Sequence, residues 1–168
     1  MADEIINRVK ASPLVVFDLE ELYPAGERIL FDLKPLLFQE LVLKEKDFRE
    51  FIRAHDWSQY QNKHVAIFCT ADAVVPTWAY MLISLSLQPH AASIMFGTLT
   101  DLENYLFEKA LAKVDVEKYC QAKLVIKGCS KINVPVNAYV RIASLLRPVA
   151  ASIMFGEPCS TVPLFKSK

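Results

Sequence analysis

The sequence predicts an α/β protein: a mostly parallel sheet built from two duplicated βαβ units, with an N-terminal β-hairpin. Three observations lead to it. The six-residue word Ala92-Ser93-Ile94-Met95-Phe96-Gly97 returns letter for letter as Ala151-Ser152-Ile153-Met154-Phe155-Gly156. At the same constant offset Asp56 falls on Asp115, Tyr60 on Tyr119, Ile67 on Ile126, Pro76 on Pro135, Tyr80 on Tyr139 and Pro89 on Pro148, with no gap between residues 43–97 and 102–156. Each copy also alternates short apolar runs (Val65 to Phe68, Leu124 to Ile126, and the repeated word itself) with helical stretches. Fixed-offset similarity marks repeated supersecondary units. Strands alternating with helices indicate βαβ units. Parallel strands, covered on both faces, read as continuous apolar runs. The chain, residues 1–168, therefore reads as a single α/β domain with an extension at 1–42.

The elements follow in order. Residues 1–12 read as a short helix with Ile5, Ile6 and Val9 on one face, stopped by Pro13. Val15, Phe17 and Leu19 alternate with Val16, Asp18 and Glu20, which is strand periodicity. Ile29, Phe31 and Leu33 alternate again after Pro24-Ala25-Gly26, and the pair reads as the hairpin. Residues 36–43 fit either a helix or a strand at 41–43. Phe48, Phe51 and Ile52 at i, i+3, i+4 mark an amphipathic helix. Pro76 and Pro135 open the two crossover helices, where a missing N–H costs nothing. Thr98 to Lys113 is a helix linking the copies, with Thr100-Asp101-Leu102-Glu103 supplying capping groups and carboxylates for its positive end. Val162-Pro163-Leu164-Phe165 suits an edge strand or an extended tail.

Comparing the copies exposes a difference. Asn137, Arg141 and Ser144 form a polar face at i, i+4, i+7, and their counterparts are Trp78, Leu82 and Leu85. A helix that is apolar all round is buried. Either the N-terminal extension or a second subunit must cover this face. Trp78, Leu82 and Leu85 are therefore the candidate interface residues, and a homodimer, the commonest assembly, is one of the two readings.

Composition narrows the classes of function. A 53% hydrophobic chain with equal numbers of basic and acidic residues, 19 of each, supports a core and offers no basic stripe for nucleic acid. Met1 to Lys10 lacks the apolar core of a signal peptide. Trp78 to Phe96 approaches the length of a membrane span. However, Gln88 and Pro89 interrupt it, and its duplicate carries Arg141 and Arg147, which are costly in lipid; no membrane is expected. Four cysteines at irregular positions suit reduced cytosolic thiols.

Ligands of open parallel sheets bind beyond the carboxyl ends of the strands. Four loops leave those ends, beginning at Cys69, Gly97, Gly128 and Gly156, and Cys69, Cys129 and Cys159 lie in them. Three readings stay open. One is a zinc or iron site of Cys69, Cys129 and Cys159 with Asp72 or another oxygen ligand. Another is a reactive dithiol, with Cys129 activated before a helix start. The third is simple packing. No C-x-x-C pair is present. His55, His64 and His90 fall at the opposite edge and read as surface residues or helix C-terminal cations, which argues against a Cys–His nucleophile. Asp18, Glu20 and Glu21 read as a solvated acidic turn. Lys131 beside a helix start is a weak anion-binding signal. No glycine-rich nucleotide cradle and no nucleophile elbow occur.

Six stretches carry a family resemblance: Glu4-Ile5-Ile6-Asn7-Arg8-Val9, Glu45-Lys46-Asp47-Phe48-Arg49, His55-Asp56-Trp57-Ser58-Gln59-Tyr60, Pro76-Thr77-Trp78-Ala79-Tyr80-Met81, Ile126-Lys127-Gly128-Cys129-Ser130 and Cys159-Ser160-Thr161-Val162-Pro163-Leu164. With these the chain resembles the bacterial domain-of-unknown-function family 2480, seen mainly in Bacteroidetes. The resemblance implies a bacterial, cytoplasmic protein without a targeting signal, and brings neither activity nor catalytic residues. Two functions are weighed from the residues. One is a self-associating binding or assembly module acting through the Trp78 face. The other is a thiol- or metal-dependent protein using the cysteine loops. Whether the chain is an enzyme stays open.

Overall fold

The computed structural model describes residues 14–128 and 131–167. The strands are β1 (Leu14–Phe17), β2 (Arg28–Asp32), β3 (His64–Phe68), β4 (Ser93–Phe96), β5 (Lys123–Lys127), β6 (Ser152–Glu157) and β7 (Ser160–Lys166). The helices are α1 (Glu45–Ala54), α2 (Thr77–Leu87), α3 (Leu99–Leu111) and α4 (Val136–Leu146). The α/β class and the parallel character are as expected, but the strands form two sheets rather than one, ordered β1-β5-β6-β7 and β2-β3-β4. All pairings within them are parallel except β6–β7. Two compact units result: Ala25–Leu106 is continuous, and the other joins the described residues up to Pro24 with those from Phe107 onward.

The expected N-terminal hairpin does not form. β1 pairs with β5 and β2 with β3, so the two strands enter different sheets. Alternation along Val15–Glu20 and Ile29–Leu33 reports a strand but not its neighbour. A lone hairpin is only marginally stable, whereas a parallel partner backed by helices hides the apolar side chains. The signal for this lay in a second, shorter repeat, Phe17-Asp18-Leu19 and Phe31-Asp32-Leu33. Phe17 lies opposite Ile126, and Phe31 lies opposite Ile67. Asp18 and Asp32 each close a 3₁₀ turn, accepting the N–H of Glu20 and of Lys34, both at 2.9 Å. Leu19 and Leu33 are fully buried behind them.

Residues 36–43 are neither of the forms weighed. A 3₁₀ turn at Lys34–Leu36 and an isolated antiparallel bridge between Phe38 and Val42 occupy this stretch. Positive φ at Gln39 and Glu40 makes the reversal between them. The helix expected at 1–12 lies outside the described residues. The linking helix and the C-terminal edge strand are where the sequence put them, as α3 and β7.

Each unit has its own core. In the continuous unit α2 lays Ala79, Ile83 and Leu87 against Val65 and Ile67 of β3. In the split unit α4 lays Ala138, Ile142 and Leu146 against Leu124 and Ile126 of β5. The spacing i, i+4, i+8 keeps each set on one helix face. The turns entering β3 and β5 share a left-handed residue, Asn62 at φ 59° and Gln121 at φ 57°. Their N–H groups reach the carbonyls of His90 and Val149 at 2.9 and 2.8 Å. The two units thus share the position of their buried helix triplets and the geometry of these turns.

Candidate functional site

An apolar groove of about 350 Å³ opens in the continuous unit between α2 and the edge strand β4. Because Ala79, Ile83 and Leu87 point inward, the next flank of α2 presents Tyr80, Met81, Ser84 and Leu85 beside β4. From the sheet come Ile67, Ile94, Met95 and Phe96. Tyr80 meets Phe96 edge-on, ring centroids 5.1 Å apart. Burial pushes the Tyr80 hydroxyl up, and the nearby Cys69 and Asp32 add to this, so it stays neutral at ordinary pH. No lining residue is charged. Met81, Leu85 and Phe96 are 61%, 70% and 62% exposed, forming a contiguous apolar surface rather than a scattered one. Such patches mark interaction sites.

The groove exists because β4 ends its sheet. In the split unit the same six-residue word forms β6, and β7 folds back along it antiparallel. There Tyr139 and Phe155 repeat the Tyr80–Phe96 contact at 5.7 Å, but Ser144 and Arg141 stand where Leu85 and Leu82 stand in α2. Along the flank equivalent to the groove lining, Ser144 replaces Leu85 while the 60% exposed Val140 replaces Met81, and β7 covers the strand edge.

The predicted interface residues divide. Trp78 is half-buried: Phe48 of α1 packs edge-on against it at 5.7 Å, and the Arg49 guanidinium lies 5.5 Å over its ring. Leu82 is half-buried at the core of the same unit. α1, which lies outside the 1–42 extension, packs on Trp78. Leu85 alone of the three faces outward, and it lines the groove. Met81 and Phe96 join it, although the repeated word reads in sequence as a strand covered on both faces. The uncharged run between Asp72 and Asp101 was the available signal.

The cysteine loops leave the strand ends as expected. Cys69 follows β3 and is half-buried, its thiol 3.9 Å from the Ala71 carbonyl. Asp72 is exposed nearby. Cys159 is exposed in the turn between β6 and β7. Cys129 lies outside the described residues. β5 and β6 are neighbours, which the proposed meeting of Cys129 and Cys159 required. Cys69 and Asp72 belong to one unit and Cys159 to the other. Among the described residues no three His, Cys, Asp or Glu side chains converge to hold a metal.

Two other readings change. His64 is buried rather than at the surface: its Nδ1 lies 2.7 Å from the Ser93 hydroxyl and its Nε2 2.7 Å from the Ala25 carbonyl. Since a carbonyl only accepts, Nε2 carries the proton and ties the loop before β2 to β3. In the acidic run Glu21 is exposed, but Asp18 and Glu20 are engaged. Lys127 reaches Asp18 at 2.6 Å and Glu20 at 3.8 Å. Glu20 also accepts the backbone N–H groups of Lys131 and Ile132. Partial burial pushes Asp18 up, but hydrogen bonds from Lys127 and Glu20 outweigh it and hold the carboxyl below its ordinary value. These groups fasten the loop after β5.

No helix among the described residues is long and apolar enough to cross a membrane. One family model, described as Protein of unknown function (DUF2480), matches residues 3–167. No curated protein and no solved structure matches the chain.

Proposed function

We propose, from the premise that the chain belongs to the DUF2480 family, that it is a self-associating binding module whose contact surface is the α2–β4 groove. The observation that carries this is the exposed, uncharged trio Met81, Leu85 and Phe96 beside an open strand edge. Withdrawing these side chains from water contributes on the order of 1–2 kcal/mol each. A two-fold contact uses both copies, roughly 6–12 kcal/mol in all, against an association cost of about 4–15 kcal/mol. Apolar burial alone therefore only balances, and further contacts must decide affinity. Gene duplication is the reading that best accounts for the matching halves. On that reading the copies diverged at one groove-lining position, Leu85 in one and Ser144 in the other.

Sedimentation velocity over a concentration series tests the proposal. Wild type is expected to shift from monomer to dimer with concentration, and Leu85→Glu to remain monomeric with an unchanged circular dichroism spectrum. A folded Leu85→Glu protein that still dimerises would exclude the groove. A wild type that stays monomeric at every concentration would end the self-association reading.

A further inference from the structure

Resting on that reading, we infer that the second copy docks through β4 itself: two β4 strands pair antiparallel about a two-fold axis at Met95, joining the two three-stranded sheets into one. Among the described residues β4 has a hydrogen-bonded neighbour on one side only, β3. The Gly97 N–H points to β3, bonding the Ile67 carbonyl at 3.1 Å. Backbone groups alternate sides along a strand, so those of Met95 also face β3, while those of Ile94 and Phe96 face outward.

The chain contains its own precedent for what fits there. β6 repeats the sequence of β4, and its outward residues Ile153 and Phe155 lie opposite Phe165 and Val162 of antiparallel β7. Pro163, which has no N–H to give, lies opposite the inward residue Met154, as this alternation requires. The same sequence thus accepts an antiparallel neighbour in the split unit, with a register shift between Ile153 and Met154. β7 already occupies β6, and β4 of another copy is a strand of matching character.

Ser93–Phe96 is self-complementary in this register. Ile94 lies opposite the partner's Phe96 as a hydrogen-bonded pair exchanging both bonds, the two-fold repeats the pair, and Met95 faces its own copy between them. Neighbours across the seam keep their face, so Phe96 and Ile94 of both copies stay on the α2 side. That brings Met81 and Leu85 of one copy toward those of the other, an isologous contact. The edge carries none of the usual defences, since no charge, proline or bulge interrupts Ala92–Gly97.

Two variants test the register in the full chain. Opposed residues of a non-hydrogen-bonded antiparallel pair lie about 4.5 Å apart at Cα, within the span that a disulfide bridges. Under mild oxidation Met95→Cys is expected to give a covalent dimer, with non-reducing peptide mapping showing the two introduced thiols joined to each other. Val74→Cys, at a position more exposed than Met95, is the control expected to stay uncrosslinked. Phe96→Pro removes one outward N–H per copy and is expected to weaken the dimer roughly 10- to 100-fold. If Met95→Cys forms no such link while wild type dimerises and Leu85→Glu does not, the strand register is wrong and the groove contact stands. If wild type is monomeric throughout, both fail.

Discussion

Thr70 grips Asp32 at both carboxylate oxygens, donating its N–H at 3.0 Å and its hydroxyl at 2.5 Å. Since Asp32 also accepts the N–H of Lys34, one side chain closes the turn after β2 and ties it to the loop after β3. Asp18 plays the first part in the other sheet, with Lys127 in place of the threonine.

Acid stability should report these carboxylates. Partial burial pushes Asp32 up, but the Thr70 and Lys34 hydrogen bonds outweigh it and hold the group below its ordinary value. Asp18 is held low in the same direction. A depressed folded pKa contributes stability that is present above the unfolded pKa and is lost as pH falls through the folded one. Urea midpoints are therefore expected to fall below about pH 4, and Asp32→Asn to flatten part of that slope. At neutral pH Asp32→Ala is expected to cost about 1–2 kcal/mol, read as a melting temperature lower by a few degrees. An Asp32→Asn profile parallel to wild type would remove Asp32 from this account.

Two equivalent glycines should not be equally replaceable. Gly97 and Gly156 both hold left-handed backbone, at φ 140° and 124°. A Cβ at Gly97 would meet the flexible Asp101 side chain at 2.9 Å, whereas one at Gly156 would meet the Ser160 carbonyl oxygen of β7 at 2.6 Å. Side chains yield more readily than a paired strand. Both alanine variants are expected to lose stability, by more than about 1 kcal/mol, with Gly156→Ala the worse in denaturant unfolding. Equal losses would show that β7 gives way freely.

Thiol reactivity should separate the described cysteines. Cys120 and Cys159 are exposed and Cys69 is half-buried. With a chromogenic disulfide reagent on native protein, Cys120→Ser and Cys159→Ser are each expected to remove one fast equivalent. Cys69→Ser is expected to affect only a slow phase, since access limits the attack. A fast phase unchanged by Cys159→Ser would show that thiol to be engaged, and would revive the dithiol or metal reading.

Much of this molecule was legible in advance because repetition is a property of sequence alone. The offset that superposes Gly97 on Gly156 also superposes β3 on β5 and α2 on α4, with their buried triplets. Periodicity identified β1 and β2 as strands, but local pattern carries no information about which neighbour a strand takes. That is why the Phe-Asp-Leu words, which mark corresponding strands of two sheets, read as one hairpin. The groove was half visible. Leu85 stood out because its counterpart is Ser144, whereas nothing distinguished Phe96, whose counterpart Phe155 is identical.

By itself the sequence determined the α/β class, the two matching βαβ segments and the apolar character of α2, since these follow from the order and spacing of residues. Only the tertiary structure decided that there are two sheets, that α1 covers Trp78, and that β4 ends its sheet while β6 is covered. Strand pairing and burial are settled by which distant segments meet. The same Ser-Ile-Met-Phe is therefore an interior strand in one place and an open edge in the other.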